Sequence, residues 1–189
     1  MNSETKKFNH LSKIFKNFIS EFEDSNREGL INTPERVSKM YIELLSGYKL
    51  DIEKLLNNAI FNSDNEDMIV VKDIEFFSLC EHHIIPFFGS AHVAYIPKGK
   101  IIGLSKIPKL VQALSKKLQV QENLTSEISK TLNDILLPQG VGVVLKGTHL
   151  CTMMRGVKSL KSSLITSSML GSFRKNMNTR QEFLNLIEK

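Results

Sequence analysis

Both cysteines and three of the five histidines fall in two short segments, Cys80-Glu81-His82-His83 and His149-Leu150-Cys151. Thiolate and imidazole are favoured zinc ligands, and Cys80 with His83 has the close spacing of a metal chelate. Side chains alternate along a strand, so a strand over 141–151 would point His149 and Cys151 to the same side. Three protein ligands would leave a fourth position open for water, as catalytic zinc sites do. A closed structural site would recruit His82 or His149 as the fourth ligand. The remaining alternative is two ordinary buried cysteines with surface histidines. Met1 to Phe8 is polar and charged, so no secretory segment is expected and the expected compartment is the cytoplasm. There a structural disulfide is rare, and a Cys/His cluster reads as metal binding or catalysis.

Cations accompany these segments in Lys106, Lys109, Arg155 and Lys158, with Arg36 and Lys39 earlier in the chain. Arg36 and Lys39 are spaced i,i+3 and share a helix face. Together they read either as a phosphate clamp or as solvated surface. No G-x-x-x-x-G-K-[ST] string occurs, so a nucleotide would not be held by a P-loop. Glu122, in Gln119-Val120-Gln121-Glu122, either complements a helix dipole or accepts two N–H bonds from a guanine edge.

The elements that must position these groups follow from periodicity. Phe8, Leu11, Ile14, Phe15, Phe18, Ile19 and Phe22 recur at helical spacing. Thr33-Pro34-Glu35 is a helix start, with Thr33 as N-cap. A short helix is expected from Asp51. After Asp67 the texture changes: Met68–Cys80 and Gly89–Ile96 are rich in β-branched and aromatic residues and read as strands. Helices are expected over about 105–118 and 122–137, then strands over 141–151 and 164–170. Thr179-Arg180-Gln181-Glu182 reads as a capping box opening a last helix. The result is an α+β fold with an antiparallel sheet, divided as a helical region over 1–66 and a catalytic domain over 67–189.

The 189 residues and 21.5 kDa allow one ordinary domain with a small appendage. Hydrophobic residues at 41% and charged residues at 24% exclude collagen-like and mostly disordered chains. No apolar stretch is long enough to span a bilayer, so no membrane association is expected. The net charge of +5 would suit nucleic acid or a small polyanion. With no Trp and 7% aromatics, base-stacking platforms are not evident.

Seven strings carry a resemblance: Thr33-Pro34-Glu35-Arg36-Val37, Cys80-Glu81-His82-His83, Gly103-Leu104-Ser105-Lys106, Leu118-Gln119-Val120-Gln121-Glu122, His149-Leu150-Cys151, Met154-Arg155-Gly156 and Thr179-Arg180-Gln181-Glu182-Phe183. In this order the chain resembles GTP cyclohydrolase I from about residue 27 onward. The resemblance implies a T-fold, an antiparallel sheet with two helices on one face, preceded by an N-terminal helical segment. It implies a homodecamer with no nucleic-acid partner, and conversion of GTP to formate and 7,8-dihydroneopterin triphosphate. Cys80, His83 and Cys151 would hold Zn2+, which would acidify the water that attacks guanine C8. His149 would protonate the opening imidazole ring, and His82 would act near the ribose. Ser105 is grouped with these catalytic residues. Glu122, assisted by Gln121, would hold the guanine edge. Arg36, Lys39, Ser105, Lys106, Lys109 and Arg155 would face the triphosphate. Two positions depart from the family pattern: Lys109 and Asn123 stand where Arg is usual. The other readings are a different T-fold pterin or deazaguanine enzyme, or a zinc-stabilised nucleic-acid-binding module.

Overall fold

The computed structural model describes residues 3–56 and 58–188. The chain divides into two compact units, Met1–Ser46 and Gly47–Lys189. In the first, α1 (Ser3–Ser20) packs on α2 (Thr33–Leu44). Phe15 stacks on Tyr41 with ring centroids 5.4 Å apart, and Ser12 Oγ donates to Ser38 Oγ. Pro34 opens α2 as expected, but the N-cap is Asn32 rather than Thr33. The Thr33 hydroxyl instead donates back to the Gly29 carbonyl.

The second unit contains α3 (Ile52–Leu56), β1 (Ile60–Asn62), β2 (Ile69–Cys80), β3 (Pro86–Ile96), β4 (Lys100–Ile102), α4 (Lys106–Ser115), β5 (Leu118–Gln119), α5 (Gln121–Leu136) and β6 (Gly140–His149). It ends with α6 (Leu150–Met153), β7 (Leu164–Gly171), α7 (Ser172–Lys175) and α8 (Met177–Glu188). β1 and β4 form a small antiparallel ribbon. The main sheet has the order β5-β2-β3-β6-β7, antiparallel throughout except for the parallel β5–β2 pair.

Alternation along the strands sorts two cores. Ala91, Val93 and Tyr95 of β3 and Val141, Val143 and Leu145 of β6 face one side. There Ile107, Leu110, Val111 and Leu114 of α4 and Leu124, Ile128, Leu132 and Leu136 of α5 cover them. This antiparallel sheet with two helices on one face is the T-fold arrangement expected from the sequence. The opposite face carries Ala94 and Val144, covered by Phe173 and by Phe183 of α8. Room for those rings comes from Gly142, where a Cβ would stand 2.7 Å from Phe173. No helix among the described residues is long and apolar enough to cross a membrane.

One irregularity decides the phase of β2. Between Val71↔Val93 and Ile74↔Ala91 the strand carries one extra residue. Such a bulge moves every later side chain to the other face. Ile74, Phe76, Ser78 and Cys80 are therefore buried, while Glu75 and Phe77 are exposed. Asp73 adopts φ 57°, a conformation Asp tolerates better than most residues. Its N–H, removed from the ladder, donates to Nδ1 of His92.

Candidate active site

Cys80 ends β2, and the turn that follows folds back on it. His83 N–H and Ile84 N–H both donate to the Cys80 carbonyl, and Cys80 N–H donates to the Ile85 carbonyl. Ile84 takes φ 55° at the tightest point. From the other side β5 pairs with Leu79 and Cys80, and Glu81 N–H donates to the Gln119 carbonyl. This pairing explains why α4 stops at Ser115 rather than running to Leu118: the chain must straighten to brace the turn. His82 and His83 are exposed, and Nδ1 of each lies 3.9 Å from Cys80 Sγ. His82 Nε2 is 3.8 Å from a Glu81 carboxylate oxygen.

The second segment differs from the sequence expectation. β6 ends at His149, and Cys151 sits on the helical turn α6, not on a strand over 141–151. Thr152 Oγ1 donates to the His149 carbonyl and Met154 N–H to the Leu150 carbonyl, closing that turn. Strand alternation is therefore not what brings Cys151 to the site. The helical turn does so, and His149 is aimed separately, onto Phe87, its partner across the β3–β6 ladder. The two rings stack 4.6 Å apart at 6°.

Cys80 Sγ, a His83 ring nitrogen and Cys151 Sγ lie within 4.8 Å of one another. Two sulfurs and one imidazole suit zinc, and three converging ligands fit a site with an open position. The chemistry of the pair agrees. Burial and the neighbouring Cys80 sulfur push the Cys151 thiol up, a pressure that a divalent cation held by these residues would reverse.

His149 Nε2 lies 3.0 Å from Oε1 of Gln121. Gln121 is fully buried at the start of α5, and its amide nitrogen contacts the carbonyls of Leu145 and Leu164 and the hydroxyl of Thr166. Burial pushes the His149 imidazole below its usual range, and the Glu122 carboxylate opposes that shift.

The family model of GTP cyclohydrolase I matches residues 11–188. The chain belongs to the GTP cyclohydrolase I family. GTP cyclohydrolase 1 of Leptospira biflexa is 57% identical over 165 residues, covering 87% of this chain and 90% of that protein. GTP cyclohydrolase 1 of Methylococcus capsulatus is 50% identical over 178 residues, covering 94% and 96% respectively. GTP cyclohydrolase 1 of Campylobacter concisus is 52% identical over 165 residues, with 87% of each chain covered.

Of the residues this GTP cyclohydrolase I family member was expected to use, Cys80, His82, His83 and Cys151 gather at one point, and His149 and Gln121 form a hydrogen-bonded pair. Glu122 is exposed in the first turn of α5. Ser105, Lys109 and Arg155 are exposed, while Lys106 is half-buried and donates from Nζ to the Leu55 carbonyl at 3.0 Å. Arg36 and Lys39 are exposed on α2 in the first unit, where Lys39 Nζ lies 5.8 Å from the Phe8 ring. Sequence reasoning overlooked Phe87 and Gly147 beside His149. Both are set by cross-strand register, for which one chain offers only weak signals, such as a glycine inside a strand.

Proposed function

We propose that the chain hydrolyses GTP at guanine C8, opens the imidazole ring, releases formate and yields 7,8-dihydroneopterin triphosphate. The observation that carries the reading is the convergence of Cys80, His83 and Cys151, with a half-buried, ring-stacked His149 two residues before Cys151, in a member of this family. Zinc held by the three ligands would supply Lewis acidity, making a water nucleophilic near neutral pH. His149 gives a proton to the ring nitrogen as the C8–N bond breaks. Its depressed proton affinity suits a group that must release that proton readily. His82, exposed and next to Glu81, handles protons on the ribose side as the sugar opens. A second water releases C8 as formate, and the sugar carbons close the new ring with loss of one water.

Glu122 orients the base by accepting N–H bonds from the guanine edge. Ser105, Lys106, Lys109 and Arg155 bind the triphosphate. A clamp spread over several elements needs no P-loop. The working form is a cytoplasmic homodecamer, a reading supported by apolar side chains that the single chain leaves exposed: Phe77 at 64% on the sheet and Val157 at 82% in the loop after α6.

The test is to incubate the protein with GTP and assay formate together with fluorescent neopterin after oxidation. Product should vanish on chelation and return with zinc, at about one ion per chain by elemental analysis. Full turnover in a metal-free preparation contradicts the assignment.

A further inference from the structure

Gly147 lies on the face of β6 that α5 covers, two residues before His149. A Cβ there would stand 2.1 Å from Oε1 of Gln121. The missing side chain is the space into which the Gln121 amide descends.

Hydrogen-bond direction in this pocket is determined by its partners. The Leu145 and Leu164 carbonyls only accept, and they lie 3.2 and 3.0 Å from the Gln121 amide nitrogen. The NH2 end must therefore face them, because the carbonyl end would set oxygen against oxygen. Thr125 spends its hydroxyl proton on the Gln121 main-chain carbonyl at 2.6 Å. Thr166, 2.6 Å from Thr125 Oγ1, then donates to it and keeps a lone pair for Gln121 Nε2 at 3.0 Å. Ser129 and Ser168 continue this polar seam between α5 and β7 one turn further on. With the NH2 end committed, Oε1 faces His149, and an oxygen that only accepts requires Nε2 to carry hydrogen.

We propose that Gln121, seated over Gly147, fixes His149 as the Nε2–H tautomer, so that Nδ1 is the nitrogen through which His149 exchanges its proton. Gln121 is then a positioning residue, not a substrate contact. The stack on Phe87 holds the plane of the ring, and the Gln121 bond holds its rotation within that plane. Both restraints matter for a proton donor, because the wrong tautomer presents the wrong atom to the reaction.

The inference rests on the proposed role of His149 for its consequence in turnover, but the tautomer itself can be read without turnover. Zinc-loaded protein carrying 15N-histidine, studied by solid-state NMR with His149→Asn to assign the signal, should show neutral His149 protonated at Nε2. Protonation at Nδ1 overturns the proposal. Kinetics supply the second arm. Gly147→Ala displaces the acceptor without removing the Gln121 donors, and Gln121→Met removes the acceptor altogether. Each should lower kcat by roughly 10- to 100-fold with KM for GTP within about twofold and zinc content unchanged. A rise in KM with kcat preserved would make Gln121 a substrate contact and refute the positioning role. If a variant loses zinc or fails to assemble, the wild-type tautomer decides. If the wild-type protein does not turn over GTP, the reading of the reaction fails while the tautomer assignment still stands or falls on its own spectrum.

Discussion

Replacing Glu122 by glutamine separates base recognition from helix stabilisation. Glu122 is exposed in the first turn of α5, at the positive end of the helix dipole, and next to the residue that bonds His149. A carboxylate there can accept from both N1–H and the exocyclic amine of guanine. ITP lacks the amine, so it forfeits one charge-assisted hydrogen bond, about 1.5–3 kcal/mol. The wild-type protein should therefore prefer GTP over ITP by roughly 10- to 150-fold in kcat/KM, at about 1.36 kcal/mol per tenfold. Glu122→Gln leaves one acceptor oxygen and turns an NH2 toward a donor, so the preference should shrink to about threefold or less. The substitution also removes the charge that favours protonated His149. Because His149 acts as the proton donor, the alkaline limb of kcat that its imidazole governs should move to lower pH. The assay is formate release from each nucleotide across a pH series. An unchanged GTP/ITP ratio would refute the recognition role and leave Glu122 as a dipole partner worth about 0.3–1 kcal/mol of stability.

The remaining expectations concern the clamp, the bulge and the far face of the sheet. Lys109→Arg, which adds a planar fork for two phosphate oxygens, should lower KM for GTP a few-fold and leave kcat nearly unchanged; a collapse of kcat would place Lys109 in the chemistry. Burial holds His92 below its usual range, against the pull of Asp73 and with the help of Lys72. The unfolded chain therefore binds a proton first, and stability should fall as pH drops below about 6.5, by up to ~1.4 kcal/mol per pH unit until the folded pKa is passed. His92→Asn keeps an acceptor for Asp73 N–H and should remove that share of the slope in denaturant titrations; an identical slope would assign the acid sensitivity elsewhere, with His149 the next group of the same sign. Phe183→Ala empties a fully buried site against Phe173 and should cost about 3–5 kcal/mol, lowering Tm by roughly 6–20 °C. A loss under about 1 kcal/mol would mean that α8 does not hold that face.

Local signals in the sequence reached most of the architecture, and their failures have physical causes. The helices α4 and α5 follow from apolar periodicity, because each packs one face against a single core, and the strands β2, β3 and β7 follow from their β-branched and aromatic runs, because both faces of the sheet are covered. The ends of elements were less legible. Thr179 and Glu182 have the spacing of a capping box, yet α8 starts at Met177, where Asn176 Oδ1 accepts from the N–H groups of Asn178 and Thr179. Arg180 is occupied elsewhere, donating to the Phe173 and Arg174 carbonyls. A run of side chains cannot show which of two adjacent caps prevails when the choice depends on a preceding turn. The Cys80, His83 and Cys151 group that could hold a metal was visible by residue type and by family resemblance, whereas its placement was not. Cys80 faces the core because of an extra residue at Asp73, seven positions upstream, and Cys151 arrives on a turn of helix. The partnership of Gln121, Gly147 and His149 is a product of register between α5, β6 and β7.

GTP labelled with 13C at C8, followed by NMR in the presence of the zinc-loaded protein, reports the proposed reaction at the carbon where it occurs. The label should leave the purine and appear as formate, one per GTP consumed, with the triphosphate intact on the other product. Label that stays in the purine ring while inorganic phosphate accumulates would contradict the proposed reaction.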